Sequence, residues 1–280
     1  MAVLQLQSLF GTAPHSDEIA VISIRRRVPE PLSLKAQSGN SMPNGLISIL
    51  AVCGIILVAS LAVALIQRGR IAWGWLAAAL VLVLLHDALL TNGWGLLPLP
   101  GLGESWNWTG KGLALLAMLA VAAHPAVGFR KSGVTLRQDR RGLPAALVVS
   151  GLLVLVFSGL AVAFGGEGAS AEDFAFQLTM PGLEEELFYR GVLLLMLNEA
   201  FGRPLRVLGA PMGWAAVVTS LAFGLDHAFG YGADGFSFDP LTLALTGGPA
   251  LILVWLRENT GSLLLPVVLH NFANTIFMVL

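Results

Sequence analysis

Three carboxylates stand in a row at Glu184, Glu185 and Glu186, and Arg190 follows four residues after the last, in an otherwise largely apolar stretch from Phe174 to Leu197. A central acidic or basic residue costs a membrane helix roughly 2.5 to 3.5 kcal/mol. Three carboxylates at this depth therefore require a polar interior, a partner or a proton. The spacing supplies one partner. Glu186 and Arg190 share a helical face with the acid first, the better order for such a pair, and a planar guanidinium suits a carboxylate. Glu185 lies about 100° around the helix from Glu186, so one arginine need not neutralise both. A free carboxylate beside a neutralised pair is a candidate general base for activating water. A purely structural ion pair, with Glu184 and Glu185 in a loop or at the membrane interface, which the nearby Pro181-Gly182 would allow, is the other reading of these residues.

Two further groups lie downstream. Phe223-Gly-Leu-Asp-His227 places a histidine in an apolar segment, with Asp226 expected at the helix end. A lone membrane histidine often only hydrogen-bonds a neighbouring helix. His270-Asn-Phe-Ala-Asn274 stacks a histidine and an amide on one helical face. Such a face can donate two hydrogen bonds to one anionic oxygen, ligate a metal, or serve as polar glue between helices. Together the three groups could hold a water, a base and oxyanion donors, the parts that acyl transfer to water needs. His86-Asp87 and His124-Pro125 read as helix-end or structural features, and His15 carries no argument.

The elements that must position these residues are membrane helices. Apolar types make up 56% of the 280 residues and charged types 12%, against about 25% charged in soluble domains. Apolar runs approach the roughly 20 residues that cross a bilayer. The expected fold is all-α, a polytopic membrane helix bundle of about eight transmembrane helices: Gly45 to Ile66, Ala72 to Leu90, Gly112 to Val127, Leu143 to Phe164, Phe174 to Phe201, Trp214 to Phe229, Leu241 to Trp255 and Ser262 to Val279. Three regions follow: a polar, disordered tail over 1–43, N-terminal membrane helices over 44–170, and the site-bearing helices over 171–280. Ile19 to Ile24 could form a short strand or amphipathic piece, and no signal peptide is evident at the start.

Basic residues follow the first, third and fifth helices (Arg68 and Arg70; Arg130, Lys131, Arg137, Arg140 and Arg141; Arg203 and Arg206), whereas acids follow the fourth and sixth. The odd-numbered ends are thus expected on the cytoplasmic side, although Arg25, Arg26 and Arg27 would then place a basic tail outside. The net charge of −1 argues against nucleic acid as a partner. Cys53 is the only cysteine, which excludes an intrachain disulfide and a cysteine metal site. Asn107-Trp108-Thr109 matches a glycosylation acceptor, a triplet common by chance. The repeat pattern of secondary transporters is not evident.

Glu185-Glu186-Leu-Phe-Tyr-Arg190 resembles the EExxxR motif of the CPBP family, which includes the CAAX proteases and bacteriocin-processing enzymes and is also called the Abi family. Phe223-Gly-Leu-Asp-His227 resembles its FxxxH motif, and His270-Asn-Phe-Ala-Asn274 its HxxxN motif. The resemblance covers about Pro181 to the C-terminus; the first four helices match only in being hydrophobic. It implies an intramembrane endopeptidase acting on membrane-associated proteins or peptides. Glu185 would activate the water, assisted by His227. His270 and Asn274 would stabilise the oxyanion, and Glu186 and Arg190 would support the site. The family has been described both as metal-dependent and as glutamate-dependent without metal. A zinc ion, if one binds, would take Glu185, His227, His270 and Asn274, but HExxH is absent, and the glutamate mechanism without a cofactor is the expectation. The expected setting is a multi-pass protein of a bacterial plasma membrane, with the lipid bilayer as its other partner. A non-catalytic membrane scaffold or immunity protein and a proton-coupled transporter are the alternatives.

Overall fold

The computed structural model describes residues 42–280 apart from 69–70, 98–104 and 167. The tail expected over 1–43, with its possible piece at Ile19 to Ile24, lies almost wholly outside the described residues, as does Arg70. Among the described residues, eight continuous helical runs build the bundle. They are α1 (Asn44–Ile66), α2 (Trp73–Leu90), α3 (Trp108–Ala123), α4 (Leu143–Phe164), a run made of α5 (Ala171–Met180), a wide-turn segment (Pro181–Leu193) and α6 (Leu194–Phe201), then α7 (Trp214–Ala228), α8 (Pro240–Thr260), and α9 (Leu264–Thr275) with a closing 3-10 turn (Ile276–Met278). Four of them, α1, α2, α4 and α8, are long and apolar enough to cross a membrane, while α3 and the last run are shorter apolar helices. The chain is an all-α membrane bundle.

Local chemistry sets the boundaries. α3 begins one turn before the expected Gly112, because the Asn107 side chain accepts from the Gly110 backbone N–H at 2.9 Å and caps the helix. The same side chain donates to the Leu90 carbonyl at 2.7 Å. α3 ends at Ala123 rather than Val127, because the residue before a proline is driven out of helical geometry: His124, before Pro125, is extended, with ψ of 135°. α5 opens with a capping box in which Ser170 and Asp173 satisfy each other's backbone N–H groups. Partial burial acts against it, but the Ser170 backbone and the Trp106 indole hold the Asp173 carboxyl below the usual carboxylate range.

The fifth run departs from a plain α-helix. Over Pro181–Leu193 its turns widen to the i→i+5 pattern. Pro181 supplies no N–H to the ladder and crowds the preceding turn, and a widened segment absorbs such a defect. This run is also the centre of the bundle. From Glu186 to Asn198 every residue is buried, with α2, α3, α7, α8 and α9 around it. Charges placed here are shielded from lipid by protein. α4 shows the opposite character, with Val148, Leu155 and Val162 each at least 65% exposed, as suits a lipid-facing helix.

Two loops fold further than expected. Leu205–Val207 (β1) pairs with Ala210–Met212 (β2). After α7 the glycine-rich stretch is an antiparallel hairpin, Phe229–Gly232 (β3) with Gly235–Phe238 (β4), and Phe229 opposes Phe238. Aromatic residues alternate along both strands, and Phe236 packs on Phe229 and Tyr231 with centroids 5.5 and 4.9 Å apart. Such cross-strand pairs stabilise a hairpin.

Candidate active site

The wide-turn segment carries the three acids and Arg190 into the core. Glu184, Glu186 and Arg190 are wholly buried, and Glu185 is partly open. Pro181-Gly182 is helical, as the run expected from Phe174 to Phe201 requires, and not the loop of the alternative reading. Gly182 instead lies where its backbone N–H donates to Asn271 of α9 at 2.7 Å. A Cβ at Gly182 would meet the Asn271 oxygen at 2.4 Å, so only glycine permits this approach.

Glu186 and Arg190 form the anticipated i,i+4 pair at 3.0 Å. The contact is near enough for charge attraction but off-angle for a hydrogen bond, so all three guanidinium nitrogens are buried without a hydrogen-bond partner among the described residues. Arg190 lies over the Phe223 ring, 4.1 Å from its centroid, a favourable cation–π distance. Glu186 also accepts from Nδ1 of His270 at 2.7 Å. That bond points the other ring nitrogen towards Glu185: His270 Nε2 is 3.7 Å from Glu185 Oε2. Oε2 is buried and has no hydrogen-bond partner among the described residues.

His227 sits in the last turn of α7. Its Nδ1 donates to the Phe223 carbonyl at 2.8 Å. A carbonyl only accepts, so the proton of the neutral ring is on Nδ1 and Nε2 carries the lone pair. A cavity of about 790 Å³ is lined by Glu185, Arg190, His227, His270 and Asn274. Apolar walls come from α4, α8 and the β3–β4 hairpin, through Phe157, Leu253 and Phe238. All four residues expected to do chemistry therefore share one cavity. Asp226 is exposed, two residues before the end of α7.

Sequence reasoning missed two neighbours. Lys111 of α3 puts its ammonium 2.6 Å from Glu184 Oε2 and 2.6 Å from Glu185 Oε1. His86 of α2, read as a helix-end or structural residue, bonds the other oxygen of Glu184 and stacks on Phe188. Lys111 did carry a signal: it is the one charged residue in the apolar run Trp108–Ala123, the same costly placement that singled out the glutamates.

The donor set does not match a zinc centre. Among the described residues no group of three or more histidine, cysteine, aspartate or glutamate side chains is arranged to hold a metal ion. Lys111 already places a positive charge on Glu185.

Residues 168–276 match the family model described as Type II CAAX prenyl endopeptidase Rce1-like. No curated protein and no solved structure matches the chain. The matched segment spans α5 to the closing 3-10 turn and contains every residue of the three motifs. Through this segment, which is less than half of the chain, the chain is similar to the CPBP and CAAX proteases.

Proposed function

We propose that the chain is a multi-pass, glutamate-type intramembrane endopeptidase that hydrolyses peptide bonds of membrane-associated proteins or peptides. The family match supports endopeptidase activity in a membrane as the general class. The observation that carries the finer reading is the 3.7 Å separation of Glu185 Oε2 and His270 Nε2 at a cavity also lined by His227 and Asn274. The base and the oxyanion donors then face one space.

In this mechanism Glu185 takes a proton from a water, whose second hydrogen bond goes to the Nε2 lone pair of His227. The oxygen attacks the scissile carbonyl carbon. His270, carrying a proton on Nε2, and Asn274 donate to the resulting oxyanion. Glu185 then returns its proton to the departing amine as the C–N bond breaks. Glu186 accepts from His270 Nδ1 and so sets the ring's direction, and Arg190 neutralises Glu186. No step needs a metal. The apolar walls suit a substrate held at the bilayer, of which a prenylated CAAX peptide is the form that the family description suggests.

Cleavage of a membrane-anchored peptide by the purified protein, abolished by Glu185→Ala and by His270→Ala and unaffected by a chelator, is the expected result. Cleavage retained in both variants contradicts the assignment. Cleavage lost on chelation contradicts the metal-free mechanism.

A further inference from the structure

The EExxxR motif begins at Glu185, yet the acid just before it is the more deeply buried. Glu184 is wholly inaccessible, and Lys111 bridges it to Glu185 with contacts of 2.6 Å to each. We propose that Lys111 is a positioning residue of the peptidase reaction: it holds Oε1 of Glu185 and leaves Oε2 to take the proton of the attacking water, while Glu184 and His86 hold Lys111. This assignment rests on the peptidase reading of the cavity.

A carboxylate serves as a base through one oxygen at a time, and its terminal torsion is soft. Anchoring Oε1 removes that freedom. The other oxygen, Oε2, is the one near His270 with no hydrogen-bond partner among the described residues. Charge accounting gives Glu184 its part. When the water's O–H bond breaks, its proton goes to Oε2, its electron pair forms the bond to the carbonyl carbon, and Glu185 becomes neutral. A lysine paired with Glu185 alone would then be a buried cation without a counter-charge, which is costly. Glu184 stays ionised and keeps Lys111 neutralised until the proton passes to the leaving nitrogen. His86 fixes the other oxygen of Glu184, and its ring is locked flat on Phe188 with centroids 3.5 Å apart. Lys111 reaches this position because the Asn107 cap starts α3 at Trp108, which puts Lys111 inside the first turn.

The rival role for Lys111 is simple neutralisation of two buried acids, and a double-mutant cycle separates the two. Purified wild type, Lys111→Met, Glu184→Gln and the double variant are compared on a quenched farnesylated CAAX peptide, with kcat, KM and thermal melting recorded for each. Lys111→Met is expected to melt lower and to lose roughly 100-fold in kcat, the scale of a misplaced catalytic group, with KM within about threefold. The double variant removes one charge of each sign. It is expected to regain the melting temperature while kcat stays low. Wild-type kcat in the double variant overturns the proposal, because Lys111 then only neutralised Glu184. A loss confined to KM overturns it too, since that marks a substrate contact. No cleavage by the wild type overturns the peptidase reading and this assignment with it.

Discussion

Two buried charge clusters divide this bundle, and they are built differently. One gathers Glu184, Glu185, Glu186, Lys111 and Arg190 around the cavity. The other lies towards the far ends of α6 and α8, where Glu258 accepts from Asn198 at 2.8 Å and from Arg203 at 3.0 Å, and Arg257 stands 3.3 Å from it. There Arg257 also donates to the Lys131 carbonyl, and Asn259 to the Gly142 carbonyl at 2.9 Å. Of the buried side-chain atoms in that second cluster only Nε of Arg257 lacks a partner among the described residues, and none of its residues lines the cavity. The first cluster, by contrast, leaves oxygens of Glu185 and Glu186 and every guanidinium nitrogen of Arg190 without hydrogen bonds among the described residues. Buried charge is expensive in both places. Where it is satisfied it ties the loop after α3 to the end of α8. Where it is left open beside a cavity, it is available for a reaction.

Substitutions should separate these two roles. The largest expected effect is on turnover at the cavity. Asn274→Ala removes one proposed oxyanion donor and should lower kcat by about 10²–10³ with little change in melting. A melting loss as large as that of the second cluster would erase the distinction. Glu258→Ala should do the reverse. Breaking a buried pair from one side costs about 3–5 kcal/mol, read as a lowered melting temperature, while kcat per folded molecule holds. Gly182→Ala tests how the two roles meet, because the added Cβ collides with Asn271 and with the Val267 carbonyl. Overpacking should cost about 1–3 kcal/mol, and displacing α9 should lower kcat as well by moving His270. An unchanged kcat would mean that α9 adjusts without disturbing the site.

The smallest effect is expected at Asp173, away from both clusters. Its carboxyl is held below the usual range in the folded protein, so its contribution to stability is present above the unfolded pKa of about 3.9 and is lost as pH falls through the folded value. The melting difference between wild type and Asp173→Asn should therefore be constant above about pH 5 and shrink below pH 4. A difference that grows with acid would contradict the capping-box account.

The difference between the clusters was only partly legible in the sequence. Long, mainly apolar runs located α1, α2, α4 and α7 to within a residue or two. α3 was displaced by a turn, since the capping role of Asn107 outweighs the polarity of Thr109 and Lys111. The widened turns after Pro181 and the two hairpins were not anticipated: each depends on backbone geometry that helical periodicity does not report. At the site, spacing sufficed within one helix, for the Glu186–Arg190 pair and for the shared cavity face of His270 and Asn274. It could not suffice for Lys111, whose contacts with the glutamates span 73 and 74 residues, or for His86, 98 residues from Glu184. The cost of a lysine within an apolar run was visible all the same and pointed to a buried acidic partner.

Central to the account is Glu185 as the base, with the rest of the cluster arranged to keep one of its oxygens open. The most direct measurement is the rate at which purified wild type and Glu185→Gln cleave a farnesylated CAAX peptide, normalised to the folded fraction. Glutamine keeps the shape and an acceptor for Lys111 but cannot take the proton. A fall of about 10²–10⁴ in kcat, with melting unchanged or higher, is the predicted result. Cleavage by Glu185→Gln at the wild-type rate would contradict it.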